Sequence, residues 1–294
     1  MFKAGKVAII GRPNVGKSTL LNALIKEKLC IVSKKPGTTR DNIQGIISGE
    51  GFQVAFMDTP GMHRPKTLLG KSMVQRASAS LLESDLILVL IEAYAGITEE
   101  DKRVFCRLEP GKINFLIINK IDKIDKRQIL PVMKEAQKFP FKEIIPISAL
   151  KKDGTAIVFE KILEYLKEGF PFFPEDQLSD KNERFFVQEI IREKVLEETY
   201  QEVPHSIAVS VEEMKEKKDR SNRDMCYIRA HIYVERKSQK GIIIGKNGQM
   251  LKKIGECSRK EIEDLLQKKV FLDLWVKVYE KWRENPFALK DLGY

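Results

Sequence analysis

The stretch KVAIIGRPNVGKS, from Lys6 to Ser18, decides the fold. Its first half is a short apolar run that ends in glycine, which is typical of a buried strand. Its second half fits the pattern GxxxxGK[ST], in which glycines let backbone amides approach phosphate oxygens at the start of a helix. We expect that helix at Lys17 to Ala23. A strand, a phosphate loop and a helix in this order predict an α/β domain that binds a nucleoside triphosphate.

The same alternation continues along the first half of the chain. Apolar runs of strand length recur, separated by segments that can be helical: QVAFMD, LILVLIEA, INFLIIN and KEIIPISA. Strands that alternate with helices indicate a mostly parallel sheet with flanking crossover helices. The pattern ends after a helix near Thr155 to Glu168. We therefore assign residues 1–168 to an α/β P-loop domain.

A change of composition separates this domain from the rest. GFPFFPEDQLSDKN, residues 169–182, is rich in proline and polar residues, and we place a linker there. Residues 183–294 then show another order of elements: a helix at Arg184 to Thr199, a strand SIAVSVEEM, a charged turn KEKKDRSNRD, a strand CYIRAHIYVER, a helix-like IGECSRKEIEDLL and a strand VFLDLWVKVYE. This order predicts a smaller α+β domain.

Composition limits the class of protein. The 294 residues carry a formal net charge of +10, which favours a polyanionic partner. The four cysteines lie far apart without CxxC spacing, so they indicate free thiols in a reducing cytoplasm rather than a zinc or disulfide framework. No stretch approaches the roughly 20 apolar residues that span a bilayer. Because a motif begins at Lys6, we expect no cleaved leader.

The base of the nucleotide is expected to be recognised by NKID, Asn119 to Asp122. A carboxylate at Asp122 can accept hydrogen bonds from the ring N–H and the exocyclic amine of guanine. Adenine lacks this donor pair and would leave a buried charge unpaired, so the motif predicts GTP rather than ATP. We expect Asn119 to brace the loop and the stem of Lys120 to cover the ring. SAL, Ser148 to Leu150, is expected to place backbone N–H groups near the guanine oxygen.

Two further motifs predict the metal site. DTPG, Asp58 to Gly61, supplies a carboxylate for Mg²⁺ and a backbone N–H for the γ-phosphate. PGTTRD, Pro36 to Asp41, supplies a threonine that completes the Mg²⁺ shell when the γ-phosphate is present, and we prefer Thr39 to Thr38. The Ser18 hydroxyl is the third expected ligand, and Lys17 is expected to reach the terminal phosphates.

The expected contacts with GTP, GDP and Mg²⁺ all come from these motifs. The expected metal ligands are Ser18, Thr39 and Asp58, and the residues expected to act in hydrolysis are Asn14, Lys17, Thr39 and Gly61. The residues expected to contact the nucleotide are Gly11, Arg12, Pro13, Asn14, Val15, Gly16, Lys17, Ser18, Thr19, Asp58, Thr59, Pro60, Gly61, Met62, Asn119, Lys120, Ile121, Asp122, Ser148, Ala149 and Leu150.

Together these motifs resemble the translation-factor-related GTPases. The resemblance implies two segments that are ordered with GTP and released with GDP. Met62 follows DTPG where Ras-type GTPases carry a water-orienting glutamine, so we expect slow unaided hydrolysis. Asn14 resembles the asparagine that helps hold K⁺ in some relatives, where the ion substitutes for an arginine finger. His63 is nearby, but a lone histidine is more often incidental than catalytic.

A second glycine-rich stretch, GIIIGKNGQMLKKIG from Gly241 to Gly255, fails the phosphate-loop pattern and fits GxxG instead. It lies between two helical segments, after two strands and before a third, which is the order of a type II KH domain. In a KH domain this turn clamps about four nucleotides of RNA backbone. The residues expected to contact RNA are Ile242, Ile243 and Ile244 as an apolar groove, the turn Gly245, Lys246, Asn247 and Gly248, and the cations Lys252 and Lys253.

One GTPase domain with PGTTRD and DTPG, a linker PFFPEDQ and a type II KH domain resemble the Era family of bacterial GTPases over essentially the whole chain. The resemblance implies binding of 16S ribosomal RNA near its 3′ end and a role in maturation of the small ribosomal subunit. It also implies that part of the population associates with the inner face of the membrane. We expect a monomer, although no motif encodes the oligomeric state.

Three functions are compatible with these motifs. The first is a GTPase switch that grips ribosomal RNA when GTP is bound. The second is a nucleotide-gated RNA-binding assembly factor whose hydrolysis is incidental, which RNA-insensitive turnover would favour. The third is a membrane-peripheral GTPase that signals independently of RNA, and aspartate at Gly245 and Gly248 would leave that function untouched.

Overall fold

The computed structural model describes residues 1–32, 38–59, 61, 67–199, 206–218 and 223–294. These residues divide into two compact units. The first unit holds Met1–Val32, the described residues of 39–65, and Gly70–Asp180. The second unit is built on Lys181–Tyr294. Pro36, Pro60, Met62 and His63, which figure in the expectations above, lie outside the described residues.

The first unit is the expected P-loop domain. Its strands and helices alternate along the chain: β1 Lys3–Gly11, α1 Lys17–Ile25, β2 Ile43–Gly49, β3 Phe52–Asp58, α2 Leu68–Glu83, β4 Leu86–Glu92, α3 Glu99–Phe105, β5 Ile113–Asn119, α4 Ile129–Ala136, β6 Glu143–Pro146 and α5 Thr155–Tyr165. The sheet has the order β2-β3-β1-β4-β5-β6, and all neighbours are parallel except β2 and β3. The predicted mostly parallel sheet is confirmed.

The antiparallel edge strand β2 was not among the strands that the sequence predicted. Its sequence, IQGIISG, is interrupted by Gly45 and Ser48, which weakens the apolar signal of a strand. β2 pairs with β3 over its whole length, and these backbone hydrogen bonds stabilise a strand that the local sequence favours only weakly. The helix predicted to reach Glu168 ends earlier, at Tyr165, because the Lys167 carbonyl accepts a hydrogen bond from the Ala4 N–H at the sheet.

Residues 169–180 lack regular structure, as expected of the linker, but they pack on the first unit. The Ile46 N–H of β2 donates to the Leu178 carbonyl at 2.9 Å, and the Ser179 hydroxyl donates to the Gln44 carbonyl at 2.7 Å. The fully buried Gln53 side chain accepts from the N–H of Phe172 and donates to the Phe173 carbonyl. The segment thus covers the open edge of β2, whose backbone groups would otherwise lack partners.

The second unit is the expected small α+β domain. Its elements are α6 Glu183–Glu198, β7 Ala208–Lys218, β8 Asp224–Val234, α7 Lys237–Ile244, α8 Gln249–Leu266, β9 Lys269–Val278 and α9 Pro286–Asp291. The sheet has the order β7-β8-β9, with β7 and β8 antiparallel and β8 and β9 parallel. Alternate residues of β8, such as Ile228 and Ile232, are fully buried, and α6 and α8 pack beneath β7 and β9.

The predicted charged turn KEKKDRSNRD is partly wrong. Residues from Lys215 to Lys218 continue β7, and Asp224 already belongs to β8. Strand pairing with β8 overrides the low strand preference of lysine and glutamate. No helix in the described ranges is long and apolar enough to span a bilayer.

Candidate functional site

The phosphate loop joins the end of β1 to the start of α1. The Lys17 ammonium donates to the carbonyl oxygens of Gly11 at 3.3 Å and Arg12 at 3.0 Å, which holds it over the loop. Burial lowers the pKa of Lys17 to about 8, although the Asp58 carboxylate opposes this change. A buried cation at a helix N-terminus is suited to pair with nucleotide phosphates.

Three oxygen-bearing side chains from different segments meet behind this loop. The Ser18 hydroxyl donates to Asp58 Oδ2 at 2.7 Å and lies 2.9 Å from the Thr39 hydroxyl. Thr39 Oγ1 is itself 3.5 Å from Asp58 Oδ2. These are the three residues predicted as metal ligands, and the fold brings their oxygens together.

Asp58 is the buried carboxylate of this cluster. Burial raises its pKa, and the Lys17 ammonium and the Ser18 hydrogen bond partly offset that rise. Within the described residues, its Oδ1 atom accepts no conventional hydrogen bond although it is buried, and the Cys30 thiol lies beside the carboxylate. Two hydroxyls and an incompletely satisfied carboxylate are hard oxygen donors that fit Mg²⁺ held together with phosphates.

Asn119, at the end of β5, connects the predicted base-binding motif to the phosphate loop. Its amide donates to the Val15 carbonyl at 2.8 Å, and its Oδ1 accepts from the Ala149 N–H at 3.0 Å. The contact requires glycine at position 16, where φ is +103° and a Cβ would collide with the Asn119 amide nitrogen. The expected bracing role of Asn119 therefore has a geometric basis.

Two acidic residues at this site were not predicted from the sequence. Glu92, at the end of β4, pairs with Lys120, whose ammonium also donates to the Asn14 carbonyl at 2.6 Å. Asp101 pairs with Arg12 at 2.7 Å and is almost fully buried. One feature of the sequence could have identified Glu92: it is the single acid at the end of the apolar run LILVLIE. Ligands of parallel α/β sheets bind at the carboxyl ends of the strands, which is where Glu92 lies.

The predicted base-reading carboxylate is held by the motif that follows β6. The Ser148 hydroxyl donates to Asp122 Oδ1 at 2.5 Å. Asp122 itself is exposed, whereas we expected a buried charge. Its discrimination between bases therefore depends on the donors that a bound base offers, rather than on prior burial of the carboxylate.

The backbone of the SAL motif is partly occupied by protein contacts. The Ser148 N–H donates to the Asp153 carbonyl at 3.0 Å, and the Ala149 N–H donates to Asn119. The prediction that N–H groups of this motif face the guanine oxygen is therefore not supported for Ser148 and Ala149. Leu150 is largely exposed.

The DTPG motif approaches the phosphate loop from β3. The Thr59 hydroxyl donates to the Ile9 carbonyl at 2.8 Å and is fully buried, so Thr59 fastens the motif to β1. A Cβ added to Gly61 would lie 2.9 Å from Pro13 Cγ, so only glycine allows this approach to the loop. Val15 of the loop is buried, Thr19 of α1 is half-buried, and Ile121 is half-buried and packs against the hydrophobic core of the sheet.

The GxxG turn of the second unit connects α7 to α8. Gly245 and Gly248 have φ values of +70° and +76°, and Asn247 between them has a φ of +51°. A Cβ at Gly245 would lie 2.6 Å from Met250 Cβ, whereas a Cβ at Gly248 would meet open space. Lys246 and Asn247 are exposed, so the turn presents backbone and charge to solvent.

The neighbouring candidates for RNA contact differ in exposure. Ile242 is exposed, Ile244 is half-buried and Ile243 is fully buried, so Ile243 belongs to the core and does not line a groove as predicted. Lys252 and Lys253 are exposed on α8, and Lys253 pairs with Glu198 at 2.5 Å. The fold thus brings the turn, two isoleucines and the basic start of α8 to one end of the domain.

Comparison with known proteins identifies both units. A family model described as 50S ribosome-binding GTPase matches residues 6–120, and a KH domain model matches residues 202–283. The crystal structure of Era in complex with MgGDPNP and nucleotides 1506–1542 of 16S ribosomal RNA is 44% identical, with a TM-score of 0.96 over 100% of this chain and 99% of that chain. A variant of Aquifex aeolicus Era bound to GDP and AlF4⁻ gives the same identity, coverage and TM-score. This chain belongs to the Era family of GTPases, which join a P-loop GTPase domain to a KH domain.

Proposed function

We propose that this chain is a GTPase switch whose nucleotide state controls its hold on 16S ribosomal RNA during maturation of the small ribosomal subunit. The convergence of Ser18, Thr39 and Asp58 carries the proposal. Thr39 precedes β2 by a few residues, so its position depends on the segment that leads into the sheet. A ligand of Mg²⁺ on such a segment makes the segment sensitive to the γ-phosphate.

The residues of the first unit divide the chemistry among them. Lys17 neutralises charge on the terminal phosphates, and the Gly61 N–H donates to the γ-phosphate. Ser18, Thr39 and Asp58 would hold Mg²⁺, which when bound would neutralise charge on the phosphates of the nucleotide. Asn119 fixes the position of the phosphate loop relative to the base-binding motif through its two hydrogen bonds.

Base selection provides the sharpest test of the nucleotide site. Asp122 pairs with two donors of guanine, whereas xanthine replaces the exocyclic amine with a carbonyl oxygen. Asp122→Asn should therefore weaken GTP binding and strengthen XTP binding, because an amide offers one acceptor and one donor. Calorimetry with GTP, XTP and ATP measures this exchange, and Asp125→Asn in the next turn is the matched control. Wild-type protein that binds ATP as tightly as GTP contradicts the assignment.

The second unit supplies the RNA site. Positive φ at Gly245 and Gly248 and the exposed Lys246 match a turn that admits a sugar-phosphate backbone. The relative with the same architecture was crystallised with nucleotides 1506–1542 of 16S ribosomal RNA. We infer that this chain recognises the corresponding region near the 3′ end of that RNA.

A gel-shift experiment tests RNA binding and its control by nucleotide. Protein loaded with GDPNP should shift an RNA of that sequence, and protein loaded with GDP should shift it less. Replacing Gly248 with aspartate should abolish the shift without loss of GTP binding. An RNA that is ignored in every nucleotide state contradicts the proposal.

Domain limits, location and assembly complete the proposal. We assign residues 1–168 to the GTPase domain, 169–182 to the linker and 183–294 to the KH domain. We further propose a cytoplasmic monomer, a fraction of which associates peripherally with the inner face of the membrane. Sedimentation of the purified protein tests the monomer, and flotation with vesicles that contain anionic lipid tests the membrane fraction.

A further inference from the structure

The outward face of the β7-β8-β9 sheet carries aromatic side chains that the nucleotide and GxxG sites do not use. Register places Tyr227 of β8 opposite Phe271 of β9, and His231 opposite Trp275. Phe271 is 54% exposed and Trp275 is 55% exposed, which is unusual for large aromatic residues of a sheet. We call Tyr227, Phe271 and Trp275 the aromatic patch.

The patch is arranged as a platform. The rings of Tyr227 and Phe271 are stacked, with centroids 5.8 Å apart and planes 11° from parallel. The Lys217 ammonium lies 3.8 Å from the Tyr227 ring centroid, so Tyr227 is covered while Phe271 remains open. Phe271 and Trp275 lie four residues apart on one strand, so they are separated by about 13 Å along the same face.

A polar network holds the platform in place. The Asp273 carboxylate accepts from the Arg229 guanidinium at 2.9 Å and from the Tyr227 hydroxyl at 3.2 Å, and it lies two residues before Trp275 on the same face of β9. Burial raises the pKa of Asp273, but the neighbouring Arg229, Trp275 and Tyr227 side chains outweigh burial and leave it below its usual range. Trp275 remains 55% exposed beside this network.

The charge around the patch is positive. Among the described outward positions of 212–217, 225–231 and 269–277, the cations are Lys215, Lys217, Arg229, Lys269 and Lys277, and the acids are Glu212, Glu213 and Asp273. Each acid contacts a basic side chain of the same face: Glu212 contacts His231, Glu213 contacts Lys215 and Asp273 contacts Arg229. Exposed aromatic rings surrounded by net positive charge match a polyanion that carries planar bases.

We propose that the aromatic patch is a second RNA-binding surface, on which Phe271 and Trp275 each stack a base of single-stranded RNA. The proposal rests on the proposed function, since it assumes that the chain binds ribosomal RNA. A GxxG turn holds about four nucleotides, whereas the relative was crystallised with nucleotides 1506–1542, a span of 37 nucleotides. That RNA is longer than the turn alone can hold, and sheets in other RNA-binding folds stack bases on aromatic residues.

Binding of long and short RNA by the full chain separates the two surfaces. Loss of one stacked base costs about 1–3 kcal/mol, so Phe271→Ala or Trp275→Ala should weaken binding of the 37-nucleotide RNA by about 5- to 150-fold. Binding of a hexanucleotide that fills only the GxxG site should not change. Trp275→Phe should retain most of the affinity and Trp275→Leu should not, since leucine keeps apolar area but has no ring. Phe287→Ala is the matched control, because Phe287 is 83% exposed outside the sheet.

Fluorescence provides a readout that does not depend on affinity. The chain has two tryptophans, and Trp282 is fully buried whereas Trp275 is exposed, so acrylamide quenching reports mainly Trp275. Long RNA should quench Trp275 and protect it from acrylamide, and the hexanucleotide should do neither. Protection that grows with protein concentration alone indicates that a second copy of the chain covers the patch, and it would overturn the proposal.

The outcomes also separate this proposal from the proposed function. Wild-type protein that binds neither RNA contradicts the proposed function. The second surface alone is contradicted by a different result. In that case the wild-type protein binds both RNAs, and the Phe271 and Trp275 variants bind the long RNA as tightly as the wild type does. Thermal melting of each variant confirms that an exposed substitution has left the fold intact.

Discussion

The Asn119 side-chain amide donates a hydrogen bond to the Val15 carbonyl oxygen at 2.8 Å, across 104 residues of sequence. The same side chain accepts from the Ala149 N–H, so one residue joins the phosphate loop, the end of β5 and the segment after β6. Phosphate binding and base binding are therefore mechanically connected through the carboxyl ends of the strands.

Asn119→Ala should weaken GDP binding by roughly 30- to 1000-fold. The change removes two hydrogen bonds and leaves the Val15 carbonyl and the Ala149 N–H without their partner, at a cost of about 2–4 kcal/mol. Calorimetry measures the change. The control is Asn114→Ala on the same strand, because Asn114 is also buried but donates to the Lys112 carbonyl away from the loop. Equal losses for both variants would mean that the effect is only one of general stability.

Thr39→Ala should slow GTP hydrolysis at least ~10-fold while GDP affinity changes little. Thr39 contributes a hydroxyl to the Ser18 and Asp58 cluster, and such a ligand matters most when the γ-phosphate is present. Single-turnover hydrolysis and GDP calorimetry measure the two quantities. Thr38→Ala is the matched control, since the described contact of Thr38 with Arg192 uses its backbone carbonyl. If the Thr38 variant loses activity and the Thr39 variant keeps it, the ligand has been assigned to the wrong threonine.

The two glycines of the GxxG turn should respond differently to alanine. Gly245→Ala brings a Cβ within 2.6 Å of Met250 Cβ in a backbone conformation (φ +70°, ψ 177°) that is essentially restricted to glycine, so it should lower the free energy of unfolding by more than the ~1–2 kcal/mol of left-handed strain. Gly248→Ala meets open space and should cost only that strain. Urea unfolding of both variants measures the difference, and similar costs would show that both the Met250 contact and the Gly245 backbone relax freely.

Turnover should be faster in K⁺ than in Na⁺ if Asn14 helps hold a potassium ion. Asn14 has a φ of +64°, and its carbonyl is occupied by Lys120, so its side chain is the group to test. Asn14→Ala should remove the difference between the two salts. Equal rates of wild-type protein in both buffers rule out the ion.

Acid should destabilise the second unit through His231. Burial lowers the pKa of His231, the Lys277 charge acts in the same direction, and Glu212 opposes both. The unfolded chain therefore takes up the proton first as pH falls through about 6.5, and the free energy of unfolding decreases. His231→Gln removes this proton uptake, so the Tm of the wild type should fall further than the Tm of the variant between pH 7.5 and pH 5.5. Parallel losses would show that His231 is not responsible.

The residues that sequence predicted well act through short, local motifs. Lys17, Ser18, Asp58 and Asn119 could be assigned from spacing and from the strand that precedes each motif, and the structure brings all four to one edge of the sheet. Glu92 and Asp101 were missed because an isolated acid gives no local pattern. Their roles depend on Lys120 and Arg12, which lie 28 and 89 residues away.

Elements that depend on pairing were also harder to predict. β2 has a weak apolar pattern and forms because β3 lies beside it. The charged end of β7 continues as a strand because β8 offers partners through Asp224. Ile243 has the same sequence context as its two neighbours, and only the packing of α7 decides that it is the one turned inward.

The sequence by itself determined which chemistries this protein has, because phosphate loops, base-reading carboxylates and GxxG turns are encoded within a few consecutive residues. Only the tertiary structure decided which of these motifs contact one another and which other side chains are exposed to solvent. The bridge from Asn119 to Val15 and the stack of Tyr227 on Phe271 both join residues far apart in the chain. Such contacts arise from strand order and register, which follow from the burial of the whole core rather than from any local stretch.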